Sequence, residues 1–402
     1  MKIKIIERMK SVKKIKVLHL ASFVGNIGDN ANHKGMRRMF KTYLDYEFIY
    51  DEIEMRDFYI SWSKRFFNDE FVDLVNQYDL LIIGGGNFFD LYIEESISGT
   101  TLNISKEILR KIKIPVLFFG IGCDPYKGAT EDIFCRFRKF LDNLIMSNQF
   151  FISVRNDGSI NNIRNYIGEK YLKYIHHVPD GGFFTYISKK DLFHPEIPDK
   201  GRIIAINVAG DMPDIRFTPK LDSSYLNYEE FIKEFANFLN DLLSEEMDIS
   251  LIFVPHIYKD LEIISKVLNN LRDDYRRKRI TVAPYLHGYE AHDYIFNIYR
   301  KSNLAMGMRF HTNVCSIALN TPTIALSTRY FKIRDLYQEL ELQDRIIDVS
   351  KRNFQLKLNK IIKDTFNKEE EIRKIYTCLN KKLRKDMELF CSKLNEWLRE
   401  YF

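Results

Sequence analysis

The sequence predicts an α/β chain of two parallel-sheet domains followed by a long amphipathic helix, and three observations carry that expectation. From Ile15 to about Asp180, short β-rich runs alternate with helix-length amphipathic stretches, the pattern of a parallel sheet wrapped by crossover helices. The rhythm breaks over residues 185–200, where His194-Pro195 and Ile197-Pro198 fall among charges, and restarts at Gly201. Such a break reads as a linker between two units of similar plan. From Phe366 onward, Ile372, Ile375, Leu379, Leu383, Met387, Phe390, Leu394 and Leu398 recur at three- and four-residue spacings, which gives one long helix a single apolar stripe.

Taken in order, residues 1–14 form a basic leader. The first domain, 15–184, offers strands at Lys16–Phe23, Glu47–Tyr50, Asp79–Ile83, Pro115–Phe119, Phe151–Val154 and His176–Val178. Helices are expected near Asn30–Leu44, Lys64–Gln77, Ser105–Lys113, Glu131–Ser147 and Gly158–Ile167. After the linker at 185–200, the second domain, 201–365, offers strands at Arg202–Asn207, Ile249–Val254, Ile280–Ala283, Leu304–Met308, Thr323–Leu326 and Arg345–Val349. The amphipathic tail, 366–402, packs on one or both domains or pairs as a coiled coil, the first use being the better fit.

Composition narrows the function classes. With 402 residues and 45% apolar side chains, two or three cored domains are affordable in length, and 29% charged residues speak against disorder. A net charge of +6 without a basic cluster interleaved with aromatics gives no support to nucleic-acid binding. The odd set Cys123, Cys135, Cys315, Cys378 and Cys391 contains no C-x-x-C pair, the usage of reduced thiols in a cytoplasmic protein. The first sixteen residues, MKIKIIERMKSVKKIK, hold seven cations and one acid. They lack an apolar core of signal-peptide length, and they allow a peripheral contact with the inner face of a membrane. No segment reaches transmembrane length.

The residues that could carry chemistry sit at expected strand ends. In NLAMGMRFHTNVCSIAL, strand, tight turn and helix place Arg309, Phe310 and His311 at a helix N-terminus, an arrangement suited to anions, or else a surface cation and a capping histidine. Lys332 and Arg334 follow the next strand. Upstream, GNIGDNA puts Asn26 and Asp29 at or beside a helix start, as caps or ligands. Gly84, Gly85 and Gly86 before Asn87, and Gly120 and Gly122, end two further strands, where a ligand or a neighbouring loop can approach the backbone. Arg155 in SVRNDGS sits like Arg309. Asp180 and His256 each follow a strand, His256 reading equally as a loop histidine. No zinc spacing, P-loop or nucleophile elbow occurs, so no metal is expected.

The order GNIGDNA, DLLIIGGGNFFD, PVLFFGIGCD, SVRNDGS, VPDGGF, FVPH-x-x-x-D and GMRFHTNVCSIALNTPTIALS-x-x-x-x-K resembles the polysaccharide pyruvyl transferase family from Val17 to about Leu340. The resemblance implies two Rossmann-like domains facing each other in a glycosyltransferase B-like fold. It also implies transfer of a pyruvyl unit from phosphoenolpyruvate to sugar hydroxyls of a cell-surface polysaccharide or its lipid-linked precursor. Carried over, it assigns Arg309, Phe310, His311 and Lys332, with Arg155 from the other domain, to phosphoenolpyruvate. His311 is the candidate acid and Asp29 the candidate base, while Asn26, Asn87, Asp180 and His256 are left to the acceptor or to supporting roles. No cofactor beyond the donor substrate is implied. Histidine in FVPH-x-x-x-D and Asp-Gly in VPDGGF depart from the commoner pattern and leave the acceptor sugar undefined; nothing in the sequence sets the oligomeric state. The rivals are a nucleotide-sugar glycosyltransferase of the same architecture and a non-catalytic anion-binding protein.

Overall fold

The fully apolar run Leu80–Ile83 and its equivalents have no polar face, so they are stable only as strands covered on both sides. In the computed structural model, which describes residues 13–188, 192–218 and 223–402, they become the centres of two six-stranded parallel sheets. The first sheet contains β1 (Lys14–Ala21), β2 (Glu47–Glu54) and β3 (Leu80–Gly84). Between β3 and β5 (Val116–Ile121) lies the short β4 (Phe89–Asp90), which pairs with β6 (Cys123–Asp124). β7 (Phe150–Arg155) and β8 (Ile175–Val178) complete it. Its order is β2-β1-β3-β5-β7-β8, with Val17 level with both Tyr50 and Leu80.

The second sheet contains β9 (Arg202–Asn207), β10 (Ile249–Phe253), β11 (Ile280–Val282), β12 (Leu304–Gly307), β13 (Thr323–Ser327) and β14 (Ile346–Asp348). Its order, β11-β10-β9-β12-β13-β14, is the doubly wound 3-2-1-4-5-6 arrangement. The chain divides into two compact units, one of residues 1–23, 36–180 and 384–402, the other of 24–35 and 181–383. Leu20, Leu81, Phe118, Phe137 and Ile152 centre the first core; Ile204, Phe235, Leu251, Phe253 and Met306 centre the second.

Element ends differ from expectation where caps decide them. Helix α1 spans Ile27–Tyr43 and starts three residues early, because the Asn26 side chain accepts the Gly28 amide at 3.0 Å. The helix expected from Lys64 begins only at Asp69, where Asn68 accepts the Phe71 amide at 3.2 Å. The helix expected over 158–167 is a single turn followed by a π-turn, Ile163–Ile167. In the linker, residues 189–191 lie outside the described residues, as does most of the leader. A helix over Phe354–Asn367 precedes the tail, an element for which the sequence reading, which began the tail at 366, named no helix.

The tail helix, Glu369–Leu398, packs within the chain. Its first half lies in the second unit, where Asn380 Nδ2 donates to the Ile317 carbonyl at 2.9 Å. Its second half lies in the first unit, where Phe390 meets Phe119 and Phe151 at 5.8 Å each. No helix among the described residues is long and apolar enough to cross a membrane.

Candidate functional site

In the second sheet β9 and β12 are adjacent, and their chain connections leave in opposite directions. Doubly wound folds open a crevice at the carboxyl ends of such a pair. Asn207, the buried last residue of β9, organises that end: its Oδ1 accepts the Arg309 amide at 3.0 Å and its Nδ2 donates to the Val254 carbonyl at 3.0 Å. Arg309 is thereby fixed as the extended N-cap of a helix over Phe310–Ala318, here α4, with α2 (Tyr258–Asn269) and α3 (Tyr289–Lys301) packed nearby in the same unit.

The Arg309 fork is directed at carboxylates. Nε donates to Asp260 at 2.7 Å, and Nη2 donates to Asp260 at 2.5 Å and to Asp211 at 3.0 Å. Arg216 Nη2 reaches Asp211 at 3.2 Å. Asp260 also accepts the amides of His256 at 2.9 Å and Gly210 at 3.2 Å. Burial alone would raise both carboxyls, but the Arg309 guanidinium beside Asp260, and Arg309 with Arg216 beside Asp211, hold them below the usual carboxylate range. Arg309 is correspondingly raised by its two partners against the opposing effect of burial. Two cations and two anions cancel here. Arg309, expected to meet an anion, is here paired with two carboxylates under the first turn of α4. Asp211 and Asp260 were not singled out as site residues from sequence, although Asp260 stood in the FVPH-x-x-x-D motif.

His311 is the next residue but one. Its Nδ1 lies 3.9 Å from Asp29 Oδ1, both side chains being largely buried. The close approach depends on Gly28, since a Cβ there would stand 2.5 Å from His311 Cβ and 2.6 Å from Nδ1. Within this unit the first turn of α1, with Asn26, Gly28 and Asp29, thus lies directly against the first turn of α4. Two positive helix ends meet at the His311 imidazole. Lys332 begins α5 (Lys332–Glu339) and is buried with its ammonium 5.3 Å from the centre of the Phe310 ring. Phe310, His311, Lys332, Asp29 and Asn26 belong to one neighbourhood.

His256 supports the same two first turns, its carbonyl accepting the Ile27 amide at 3.4 Å. It is fully buried, with Nε2 2.8 Å from the Tyr299 hydroxyl and 3.3 Å from Thr312 Oγ1. Burial pushes its pKa down to about 3 despite the opposing Asp260 charge. A histidine held neutral and enclosed is a prop for α4 and α3, the supporting one of the roles expected for His256 and not that of a half-buried loop histidine.

In the first unit, Arg155 ends β7 with Nε donating to Asp157 at 2.8 Å and Nη1 to Asp180 at 3.0 Å. Asp180 is fixed in turn by its amide, which donates to Asn156 Oδ1 at 2.9 Å. Gly122 leaves room for this network: a Cβ there would lie 3.0 Å from Arg155 Nη2 and 3.1 Å from Asp157 Oδ2. Asn87 donates to Asp124 at 3.3 Å. Gly84, Gly85 and Gly86 end β3 beside β1, the switch point of the first sheet. Protein fills the space these glycines leave. Gly84 abuts the Phe119 carbonyl, the Gly85 amide donates to that carbonyl at 2.9 Å, and the Phe88 ring lies over Gly86. Gly120, at φ +54, sits at the register shift between β5 and β7.

A family model described as polysaccharide pyruvyl transferase matches residues 26–330, a span that includes Asp29, Arg155, Asp180, Asp211, His256, Asp260, Arg309 and His311 and stops short of Lys332. No curated protein matches the chain. Among solved structures, a glycosyltransferase from Rickettsia africae is similar at TM-score 0.56 and 12% identity, covering 96% of this chain and 98% of that one. The UDP-GlcNAc 2-epimerase of Neisseria meningitidis bound to UDP-GlcNAc is similar at 0.55 and 11%, covering 95% and 100%. The S. aureus MnaA–UDP co-structure is similar at 0.53 and 11%, covering 90% of each chain. Likeness at this identity shows the fold: two Rossmann-like parallel-sheet units of the glycosyltransferase B type, with a long C-terminal helix.

Proposed function

Because the chain belongs to the polysaccharide pyruvyl transferase family, we propose that it transfers a pyruvyl group from phosphoenolpyruvate to two hydroxyls of a sugar in a cell-surface polysaccharide or its lipid-linked precursor. The product is a cyclic ketal, with phosphate released. The observation that carries this reading is the His311–Asp29 pair, 3.9 Å apart where the first turns of α1 and α4 meet.

The chemistry needs what that pair supplies. A proton delivered to the methylene carbon of phosphoenolpyruvate makes it a methyl and leaves positive charge on the central carbon, which a sugar hydroxyl attacks. A second hydroxyl then displaces phosphate and closes the ring, its proton leaving with the phosphate. His311 is the group that delivers the first proton, and Asp29 accepts the proton of the attacking hydroxyl. The carboxylate and phosphate of the donor are held at the N-terminal first turn of α4 and by the Lys332 ammonium, since Arg309 is neutralised by its own carboxylates. Arg309 positions that turn.

A thermal-shift comparison tests the donor. Phosphoenolpyruvate at a hundred times its Kd adds about 2.7 kcal/mol, and acceptor-dependent phosphate release follows. Stabilisation by nucleotide sugars alone would refute the reading in favour of a glycosyltransferase; binding without turnover on any saccharide would leave an anion-binding protein.

A further inference from the structure

The loop that follows β2 in the first unit exposes seven consecutive residues, Ile60 to Phe66, reading Ile-Ser-Trp-Ser-Lys-Arg-Phe. Ile60 is 37%, Trp62 46% and Phe66 61% exposed. The run carries two cations and no acid. It is not a slack connection. The Tyr59 carbonyl accepts the amides of Trp62 at 2.9 Å and Ser63 at 3.0 Å, and the Arg65 amide donates to the Asp57 carbonyl at 2.8 Å. Ser63 turns the chain at φ +49 and its hydroxyl donates to the Ile60 carbonyl at 2.6 Å.

The loop's base is anchored in the core. Phe67 stacks on Phe58 at 4.5 Å and meets Phe71 edge-on at 5.0 Å, while Phe58 is buried. Side chains on either side of the run are thus fixed inward while Ile60, Trp62 and Phe66 are held outward. Holding a Trp and a Phe in water on an ordered turn stabilises nothing in the folded chain.

We infer that Ile60–Phe66 is a docking loop for an anionic lipid bilayer surface. Trp and Phe interleaved with Lys and Arg is the composition that settles at the boundary between headgroups and acyl chains. The charges fit. Lys64 lies 4.8 Å from the Trp62 ring centre and 3.3 Å from Asp57, so its ammonium stays beside the ring that would insert. Arg65 adds a second cation, and Asp69, at the far end, is paired with Lys111 at 2.5 Å. Besides its two serines the exposed run offers only cationic donors, Lys64 and Arg65, which suit anionic headgroups. This inference stands apart from the donor chemistry.

The chain has two tryptophans. Trp397 is 8% exposed and donates its Nε1 to the Asn148 carbonyl at 2.6 Å, so Trp62 is a built-in reporter. The full chain is mixed with phosphatidylcholine vesicles with and without phosphatidylglycerol, some carrying brominated acyl chains. The expected result is sedimentation with the anionic vesicles, quenching of Trp62 by bromine, and a loss of affinity of at least about tenfold in Trp62→Ala/Phe66→Ala. Lys64→Glu/Arg65→Glu should lose the preference for anionic lipid. Vesicle binding that leaves Trp62 unquenched would assign the contact to the N-terminal cations and overturn the inference. So would unchanged affinity in the Ala variant, or concentration-dependent dimerisation of the free protein that the same variant abolishes.

Discussion

Arg309 is the residue whose role the structure defines most sharply, and replacing it separates a structural keystone from an open anion clamp. In Arg309→Met the aliphatic stem is kept and the guanidinium lost, which leaves the fully buried Asp260 carboxylate without its cation and Asp211 with Arg216 alone. Breaking a buried ion pair from one side costs about 3–5 kcal/mol. Asp260 retains amide donors from His256 and Gly210, so the lower end, about 3 kcal/mol, is expected without any ligand present. At a urea slope of roughly 3 kcal/mol per molar for a unit of this size, the midpoint falls by about 1 M.

Two units make a global two-state fit unsafe. The unfolding is therefore followed by amide exchange in peptides from β9 and β12, the strands Arg309 ties together through Asn207. A second measurement tightens the argument. Asp260→Asn added to Arg309→Met removes the unpaired charge and should recover a good part of the loss, as a double-mutant cycle reads directly. A ligand-free midpoint within about 0.3 M of the parent would refute the keystone reading. Arg309 would then be a group whose charge serves only a bound anion.

The remaining expectations concern the His311 neighbourhood and pH. Gly28→Ala drives a methyl to 2.5 Å from His311 Cβ and should cost about 1–3 kcal/mol with a fall in turnover, read by melting and steady-state kinetics; a silent variant would remove the α1–α4 contact from the argument. His311→Gln should keep most donor affinity by calorimetry while losing on the order of a hundredfold or more in turnover, and solvent deuterium should enter the product methyl only with histidine present. Near-native turnover in that variant would exclude His311 as the acid, and His256 is no substitute, being enclosed and neutral. Burial holds His256 at about 3 and His292 at about 4 against 6.5 unfolded. The unfolded chain binds those protons first, so stability is present above pH 6.5 and is lost on acidification, down to about pH 4 for His292 and further for His256. At pH 5 each histidine accounts for about 2 kcal/mol of that loss. Asp211 and Asp260 add to it only below 3.8. His256→Asn should flatten the decline between pH 7 and 5, and an unchanged slope would count against a neutral His256.

How much of this was legible beforehand depends on the distance over which each signal acts. The strands of both sheets were expected, the central ones from fully apolar runs, because a strand covered on both faces must be apolar along its length. Helix starts were less visible, since a single side chain decides them. Asn26 reads as a candidate cap without fixing where the helix begins, and nothing marks Asn68 until its amide partner is seen. At the site, Arg309, His311 and Asp29 were picked out because residue type and strand-end position suffice for that. What they do was not. A guanidinium at a strand end reads as an anion clamp only if no carboxylate from elsewhere reaches it, and Asp211 arrives from the loop after β9 and Asp260 from the first turn of α2, 98 and 49 residues away. Gly28 shows the converse. Its missing Cβ is what lets His311 lie on α1, a requirement set by a residue far along the chain. The Arg309 case follows from the doubly wound order, which brings the ends of β9, β10 and β12 to one edge. It makes the charge balance of the site a property of the sheet and not of any one motif. A substitution at Asp211 should therefore alter donor binding through the position of the α4 first turn, although Asp211 lies in a part of the sequence that no motif had marked.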